Sequence, residues 1–403
     1  MRALVFALLL TAAPLALAQE KAPSVRPEVG KPLQAAIEAL KARRGKEALA
    51  RAREAQEVPN KTAYETYLVT RVLGQAAAAA GDHATAASAL ENAANSSAAP
   101  QAERAQLFAA AASAYYSSKD FAKAAAAATR HFQHGGSDKA VRTLYVNSLY
   151  LGGNYGAAAR EIAADLESEE RAGKTPTEEQ LQLLANAYLQ SKDNGGYGRT
   201  IEKLVAYYPK RDYWQNAVYN VVTRPGFNER LQIDVARLKL DLGLLQKADE
   251  YLEFAQLSLI EGFPAEAARV IDKGYAAGVL GVGPEAARHK RLKDLAAKNL
   301  AEDRKNLASA EKQEPPKDGK TLFNDGFNFV LNGRAEKGFS MMQEGIKLGG
   351  GFRRPDHAKL QLAYAYHLAG QNDKALQMFK TVQGTDGAAA LARLWVLRLG
   401  RTS

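Results

Sequence analysis

The stretch "LAYAYHLAGQNDKALQMF" (residues 362–379) divides at its glycine. Before Gly370, Leu362, Ala363 and Tyr366 share one helical face at i, i+1 and i+4. Beyond it, Ala375, Phe379 and Val382 line a second face at i, i+4 and i+7. Gly370-Gln371-Asn372 interrupts the helical period between the two. The small residues Ala363 and Ala375 stand where two helices must approach closely, and the large Tyr366 and Phe379 fill the space beside them. A single hairpin of this kind cannot bury its own apolar stripe, so it needs a neighbour on each side.

The pattern slides along the chain. Residues 326–342, "GFNFVLNGRAEKGFSMM", put Gly326, Phe329, Gly333, Gly338 and Met342 at the same offsets, and the second-helix anchors Gly338 and Ala375 lie 37 residues apart. Earlier anchors fall at Ala48, Ala86, Ala124 and Ala158, with gaps of 38, 38 and 34 residues, and further units centre on Thr200 and Ala267. This series resembles the tetratricopeptide repeat (TPR), a pair of antiparallel helices with a small/aromatic signature and a period of about 34 residues. The first-helix Trp of that repeat is missing and its terminal Pro is missing or shifted. The resemblance implies an all-α fold, an α-α superhelix or TPR-like solenoid of roughly eight or nine helical hairpins. The wider spacing implies longer helices or turns than the consensus.

Departures from the pattern divide the chain. Residues 1–18, "MRALVFALLLTAAPLALA", carry Arg2, an apolar run and Ala16-Leu17-Ala18 before Gln19, which reads as a cleavable signal peptide. The run is broken by Pro14 and is short against the roughly 20 residues a membrane-spanning helix needs. Residues 19–32, with Pro23, Pro27 and Pro32, read as an extended lead-in to an N-terminal array over 33–283. A long polar helix and the Pro315-Pro316 break occupy 284–317, and a C-terminal TPR-like module occupies 318–403. The closing helix, residues 386–399, is expected to cap the end of the stack. Asn194, Gly195 and Gly196 are expected to enlarge the turn before Thr200, and Trp214, Tyr219 and Val222 to face a core.

Cysteine is absent. That excludes disulfides and thiolate metal sites, and it removes the residue a bacterial lipoprotein is processed at. With the signal, this points to a bacterial periplasmic protein. The formal charge is +10, and cleavage would remove only Arg2. Arg288, His289, Lys290, Arg291 and Lys293 cluster on the long helix, and Lys347, Arg353 and Arg354 flank the last hairpin. Such basic clusters suit an anionic surface or an acidic partner, or simply a solvated helix.

No catalytic constellation stands out, and no enzyme activity, cofactor or metal is expected. His131 and His134 form H-x-x-H, one residue short of the i, i+4 pair of helical zinc sites, with no Glu in register. No G-x-S-x-G or Walker loop occurs, and Gly278, Gly281 and Gly283 read as a connection between helices.

In the TPR family the first helix of each pair lines a groove. Carried over by offset, that surface comprises Arg71 and Gln75, Ser113 and Tyr116, Asn147 and Tyr150, Gln182 and Asn186, and Tyr364 and His367. The resemblance gives Asn147 and Asn186 the role of hydrogen-bonding a peptide backbone, which an amide can do as both donor and acceptor. The residues preceding them do not reproduce the Lys/Asn carboxylate clamp of chaperone-binding members. The expected partner is therefore a protein or peptide held in a solenoid groove. "YPKRDYW" (residues 208–214) and the hairpins after it are similar to exported TPR proteins of TonB-type envelope systems. The alternative is a protein that binds peptidoglycan or an anionic polysaccharide. Nucleic acid is not expected in that compartment.

Overall fold

The computed structural model describes residues 24–400 except 350, 351 and 353. Residues 1–18, expected to be a signal peptide, and Arg353 lie outside the described residues. Twenty α-helices and one 3-10 turn make up the fold, with no strand among the described residues, and successive helices pair as hairpins. This is the helical-hairpin repeat architecture of the TPR-like solenoid class. The chain forms two compact units, divided after Ala164.

The first unit is a run of hairpins. Helices α1 (Pro27–Lys41) and α2 (Gly45–Glu57) form one, α3 (Ala63–Ala80) and α4 (His83–Asn95) the next, then α5 (Gln101–Ser117) and α6 (Phe121–Gln133). Helix α7 (Lys139–Leu151) leads into α8 (Tyr155–Arg171), which runs through the division point. The expected extended lead-in is corrected over residues 27–32, which are helical, while residues 19–23 of it lie outside the described residues. Pro27 opens α1 at its first position, where its missing N–H is no loss, and Pro32 lies inside the helix.

Turn chemistry fixes the hairpins. The residue closing the first helix takes the left-handed conformation: Gly81, Lys119 and Gly153 have φ of 83°, 63° and 79°. A capping Asp follows at two of these turns, Asp82 accepting from the Thr85 N–H and Asp120 from the Lys123 N–H. The anchors Ala48, Ala86, Ala124 and Ala158 are completely buried. Their spacing in the sequence is thus the spacing of helix contacts.

The second unit is less regular. Helices α9 (Glu178–Gln190) and α10 (Asn194–Tyr207) form a hairpin capped by Asp193, whose Oδ1 accepts from Gly196 N–H at 2.8 Å. Asn194, Gly195 and Gly196 are thus the first helical turn of α10, not an enlarged loop. Gly196 lies against the Tyr188 ring, and a Cβ there would collide with it. Helices α11 (Arg211–Val222) and α12 (Gln232–Asp241) follow, then α13 (Ala248–Ile260) and α14 (Pro264–Ala276). The polar helix α15 (Ala286–Ala310) leads to α16 (Gly319–Leu331), α17 (Ala335–Leu348), α18 (Pro355–Leu368), α19 (Asn372–Phe379) and α20 (Ala388–Leu399). Trp214 is buried as expected, but Tyr219 is 67% exposed and belongs to no core.

Helix α20 does more than cover the last hairpin. It packs against α18 and α19 and also against α10, α11 and α12. Trp395 of α20 stacks on Phe379 and lies near Tyr364 and His367. The Asn228 N–H, ahead of α12, donates to the Asp386 carbonyl at 2.9 Å. The same closure encloses a charged centre. Arg237 of α12 is buried, donating to Asp234 at 2.9 Å and to both oxygens of Glu266 on α14 at 3.1 and 2.8 Å. Its guanidinium lies 5.7, 5.0 and 5.0 Å from the rings of Phe263, Phe327 and Tyr364. Desolvation raises the Asp234 carboxyl above the ordinary range, against the pull of Arg237.

Helices α16 and α17 meet through glycines. A methyl at Gly326 would stand 2.8 Å from the Gly338 carbonyl oxygen, and one at Gly345 would stand 2.5 Å from that of Gly319. The anchor Gly338 is therefore a position of backbone contact, which only the absence of a side chain allows.

Candidate functional site

The first unit holds a groove of about 840 Å³ between α3 and α5. Its α3 wall carries Arg71, Gln75 and Ala78, at i, i+4 and i+7. Its α5 wall carries Glu103, Gln106, Ala110, Ser113 and Ser117. Core packing claims the opposite faces of the same helices, with Val72, Leu73 and Ala76 buried on α3 and Phe108, Ala111 and Ala112 on α5. Small residues on α5 keep the floor low, so Gln75, Gln106 and Ser113 stay exposed.

A polar cluster anchors one end. The Tyr67 hydroxyl donates to Glu103 Oε2 at 2.5 Å, and Arg71 donates to the same oxygen at 2.7 Å. The Arg71 guanidinium sits 5.6 Å from the Tyr67 ring centre. Hydrogen bonds from Tyr67 and Arg71 hold the Glu103 carboxyl below its ordinary range, while burial and Glu103 push the Tyr67 phenol up. This fixes Arg71 across the groove between two helices, and the amides and hydroxyls beyond it remain available to a peptide backbone.

The carried-over residues fall into three groups. Arg71, Gln75 and Ser113 line this groove together. Tyr116 does not; its ring packs edge-on against Phe121 at 5.5 Å and supports the start of α6. Asn147 and Tyr150 lie half-buried on α7, with Tyr150 edge-on to Tyr155 at 5.3 Å. In the second unit, Gln182 and Asn186 are exposed one turn apart on α9. Gln182 donates to the Tyr213 hydroxyl at 2.6 Å, and Tyr213 donates in turn to Glu178, which Lys210 also holds at 2.7 Å.

Tyr364 and His367 are corrected outright. Tyr364 is buried beside Arg237, Phe327 and Trp395, where burial raises its phenol pKa. His367 binds Asp241 Oδ1 and Asn372 Oδ1, each at 2.9 Å, and Arg398 of α20 donates to the other Asp241 oxygen at 2.9 Å. Tyr364 is buried and His367 half-buried because α20 folds over the face that a simple stack would leave open. Residues that the offsets passed over are Glu103 and Gln106. Their signal was present: each stands between the apolar positions of α5, on the stripe that includes Ser113.

The basic helix is quieter than its composition. Arg288 pairs with Glu285 at 3.6 Å, Lys290 with Asp294 at 2.7 Å and Lys293 with Asp272 at 2.9 Å. His289 is buried, and its Nδ1 accepts the Gly281 N–H at 3.0 Å. His131 and His134 also part company. His131 is buried on the Ala105 carbonyl at 2.9 Å, and His134 caps α6 and stacks on Phe108. Among the described residues, no group of three His, Asp or Glu could hold a metal, and no helix is long and apolar enough to cross a membrane.

Stacked hairpins with a polar groove on their first helices define the class, a TPR-like repeat protein. No family model matches the chain, and no curated protein matches it. Solved structures do resemble it. A tetratricopeptide repeat protein from Parabacteroides merdae shares 13% identity over 67% of this chain and 99% of its own, with a TM-score of 0.31. The TPR2AB domain of yeast Sti1, solved in a complex with pHSP90, shares 16% over 67% of this chain and 98% of its own, with a TM-score of 0.32. Yeast Tom70 shares 13% over 93% of this chain and 96% of its own, with a TM-score of 0.25.

Proposed function

We propose that this chain is a non-enzymatic scaffold that holds an extended segment of a partner protein in the α3/α5 groove. The observation that carries the reading is that groove itself, about 840 Å³ of open space walled by amides, hydroxyls and one ion pair. An extended peptide exposes donors and acceptors along its backbone, and Gln75, Gln106 and Ser113 offer both kinds. The Arg71–Glu103 pair sets one end of the track.

The sequence of residues 1–18 supports action in the bacterial periplasm after export. The "YPKRDYW" segment supports a place beside TonB-type envelope machinery. An envelope polymer is the poorer occupant, because the cations Arg288, Lys290 and Lys293 already have carboxylate partners.

The test is photocrosslinking in cells from Gln75, Gln106 and Asn147, followed by identification of the captured chains. A discrete partner protein captured from Gln75 and from Gln106 is expected, with the Gln75 capture lost in Arg71→Ala/Gln106→Ala. Capture from exposed control positions alone would overturn the groove. Sequencing of the mature N-terminus tests export, with cleavage expected after Ala18.

A further inference from the structure

Several cations of this protein are paired with carboxylates along its helices. Arg71 meets Glu103, Arg142 meets Glu161, Lys203 meets Glu170 and Lys239 meets Glu250, all within 2.7 Å. One place in the second unit gathers three cations around a single concavity. A pocket of about 440 Å³ between α14 and α15 is lined by three cations, Arg269, Lys273 and Arg304. Lys273 and Arg304 are exposed, and neither stands in an ion pair among the described residues. Arg269 reaches the buried Glu266 only at 3.7 Å and donates weakly to the Tyr364 hydroxyl at 3.4 Å. The carboxylate in the lining, Asp272, is already held by Lys293.

The rest of the lining is apolar. Ala265, Ala268 and Ala276 run along the same stripe of α14 as the cations, and Leu300 and Leu331 close the far side. Alanines leave room, and like charges around a concavity with low-dielectric walls focus a positive potential into it. Of the carboxylates beside it, the buried Glu266 faces Arg269 at 3.7 Å and Asp272 is held by Lys293. The volume falls within the range of small-ligand sites and exceeds what a single inorganic anion fills.

We propose that this pocket binds an acidic peptide segment of a partner protein. One carboxylate lies between Lys273 and the fork of Arg304, and a neighbouring aliphatic side chain rests on the Ala/Leu floor. A guanidinium pairs with a carboxylate through two parallel hydrogen bonds, which fixes orientation as well as charge. A phosphate or sulfate polymer would satisfy the cations and leave the apolar floor bare, so a peptide is the better match. The site belongs to the second unit alone and does not depend on the α3/α5 reading. The two together would give one chain two points of attachment.

The experiment is fluorescence anisotropy on the full chain with an acetylated, labelled heptapeptide alternating Glu and Leu. A matched peptide with Gln in place of Glu is the control. The Glu peptide is expected to bind, and Lys273→Glu/Arg304→Glu to raise its Kd at least tenfold. Lys273→Gln/Arg304→Gln, a milder change with less risk to folding, is expected to raise it about fivefold. Thermal circular dichroism confirms that each variant is folded. Arg291→Glu/Lys298→Glu changes the net charge equally from another face of α15 and is expected to change Kd less than twofold. Equal binding of the Gln peptide, or equal loss in the Arg291/Lys298 variant, would overturn the proposal. So would tighter, pocket-dependent binding of polyphosphate. Loss on Arg71→Ala/Gln106→Ala but not on the Lys273/Arg304 changes would place the peptide in the groove and also overturn it.

Discussion

Replacing Arg237 with Met tests how the second unit is held together. The change removes a guanidinium that is almost completely buried, leaving Asp234 without its partner and Glu266 with only Arg269 at 3.7 Å. Breaking a buried ion pair by deleting one side costs about 3–5 kcal/mol, because the surviving charge has lost both water and its counterion. Three ring faces lose their cation as well, which moves the expected cost toward the upper end. Asp234 would take up a proton, since burial already raises its pKa against the attraction of Arg237. For a unit of this size each kcal/mol moves Tm by roughly 2–4 °C, so the shift should be roughly 6–20 °C downward. Differential scanning calorimetry reads it, with near-UV circular dichroism reporting the Tyr364–Trp395 cluster. Arg237→Met/Asp234→Asn/Glu266→Gln removes all three charges and should recover more than half of the loss. A single variant melting within about 2 °C of the parent would refute the argument. A triple variant no more stable than the single one would show that packing, not charge, carries the cost.

Other outcomes follow from local chemistry. Gly338→Ala should destabilise by about 1–3 kcal/mol in urea despite the gain in helix propensity, because the added methyl would collide with the Gly326 carbonyl oxygen. Lys119→Gly should stabilise by about 1 kcal/mol, since Lys119 holds φ of 63° at the α5–α6 turn, where glycine carries no Cβ penalty. The His367 pKa is raised: burial opposes the charge, but the hydrogen bonds the ring makes to Asp241 and Asn372 outweigh it. Its stabilising contribution is therefore complete below the ordinary value of 6.5 and is lost as pH rises through the higher folded value. His367→Gln should flatten that part of the urea-midpoint profile followed by Trp395 emission. Glu65 behaves in the opposite sense. Arg26 and two backbone N–H groups lower its pKa to about 2, so its contribution is present above about 4.5 and disappears as pH falls toward 2. Glu65→Gln should remove that acid-side loss in a urea-midpoint profile of the first unit followed by far-UV circular dichroism.

The hairpins were legible because their spacing is a local property. Ala48, Ala86, Ala124, Ala158, Ala267 and Ala375 are all fully buried, as a repeating pattern of small residues requires. The groove was half legible for the same reason, with Arg71, Gln75 and Ser113 where the offsets put them. What escaped was long-range. Nothing near Tyr364 announces that Arg237, far earlier in the chain, will sit 5.0 Å from its ring. Nothing near His367 announces Asp241 or Arg398. A mapping by offset assumes that every first helix shows the same face to solvent, and that fails where α20 crosses the stack. Pro27 misled for a different reason: a proline ahead of a helix and a proline opening one look alike in sequence.

The return of α20 onto α10, α11 and α12 has a consequence for the order of events during synthesis. In an ordinary hairpin array each unit can settle as soon as its neighbour leaves the ribosome, and trimming the last unit leaves the others standing. Here the bond between Arg398 and Asp241 joins positions 157 residues apart. The faces of α10, α11 and α12 that α20 covers must wait until the final helix has been translated. A nonsense codon ahead of residue 388 would therefore disable helices encoded far upstream of it, while the first unit, whose hairpins close locally, would still fold.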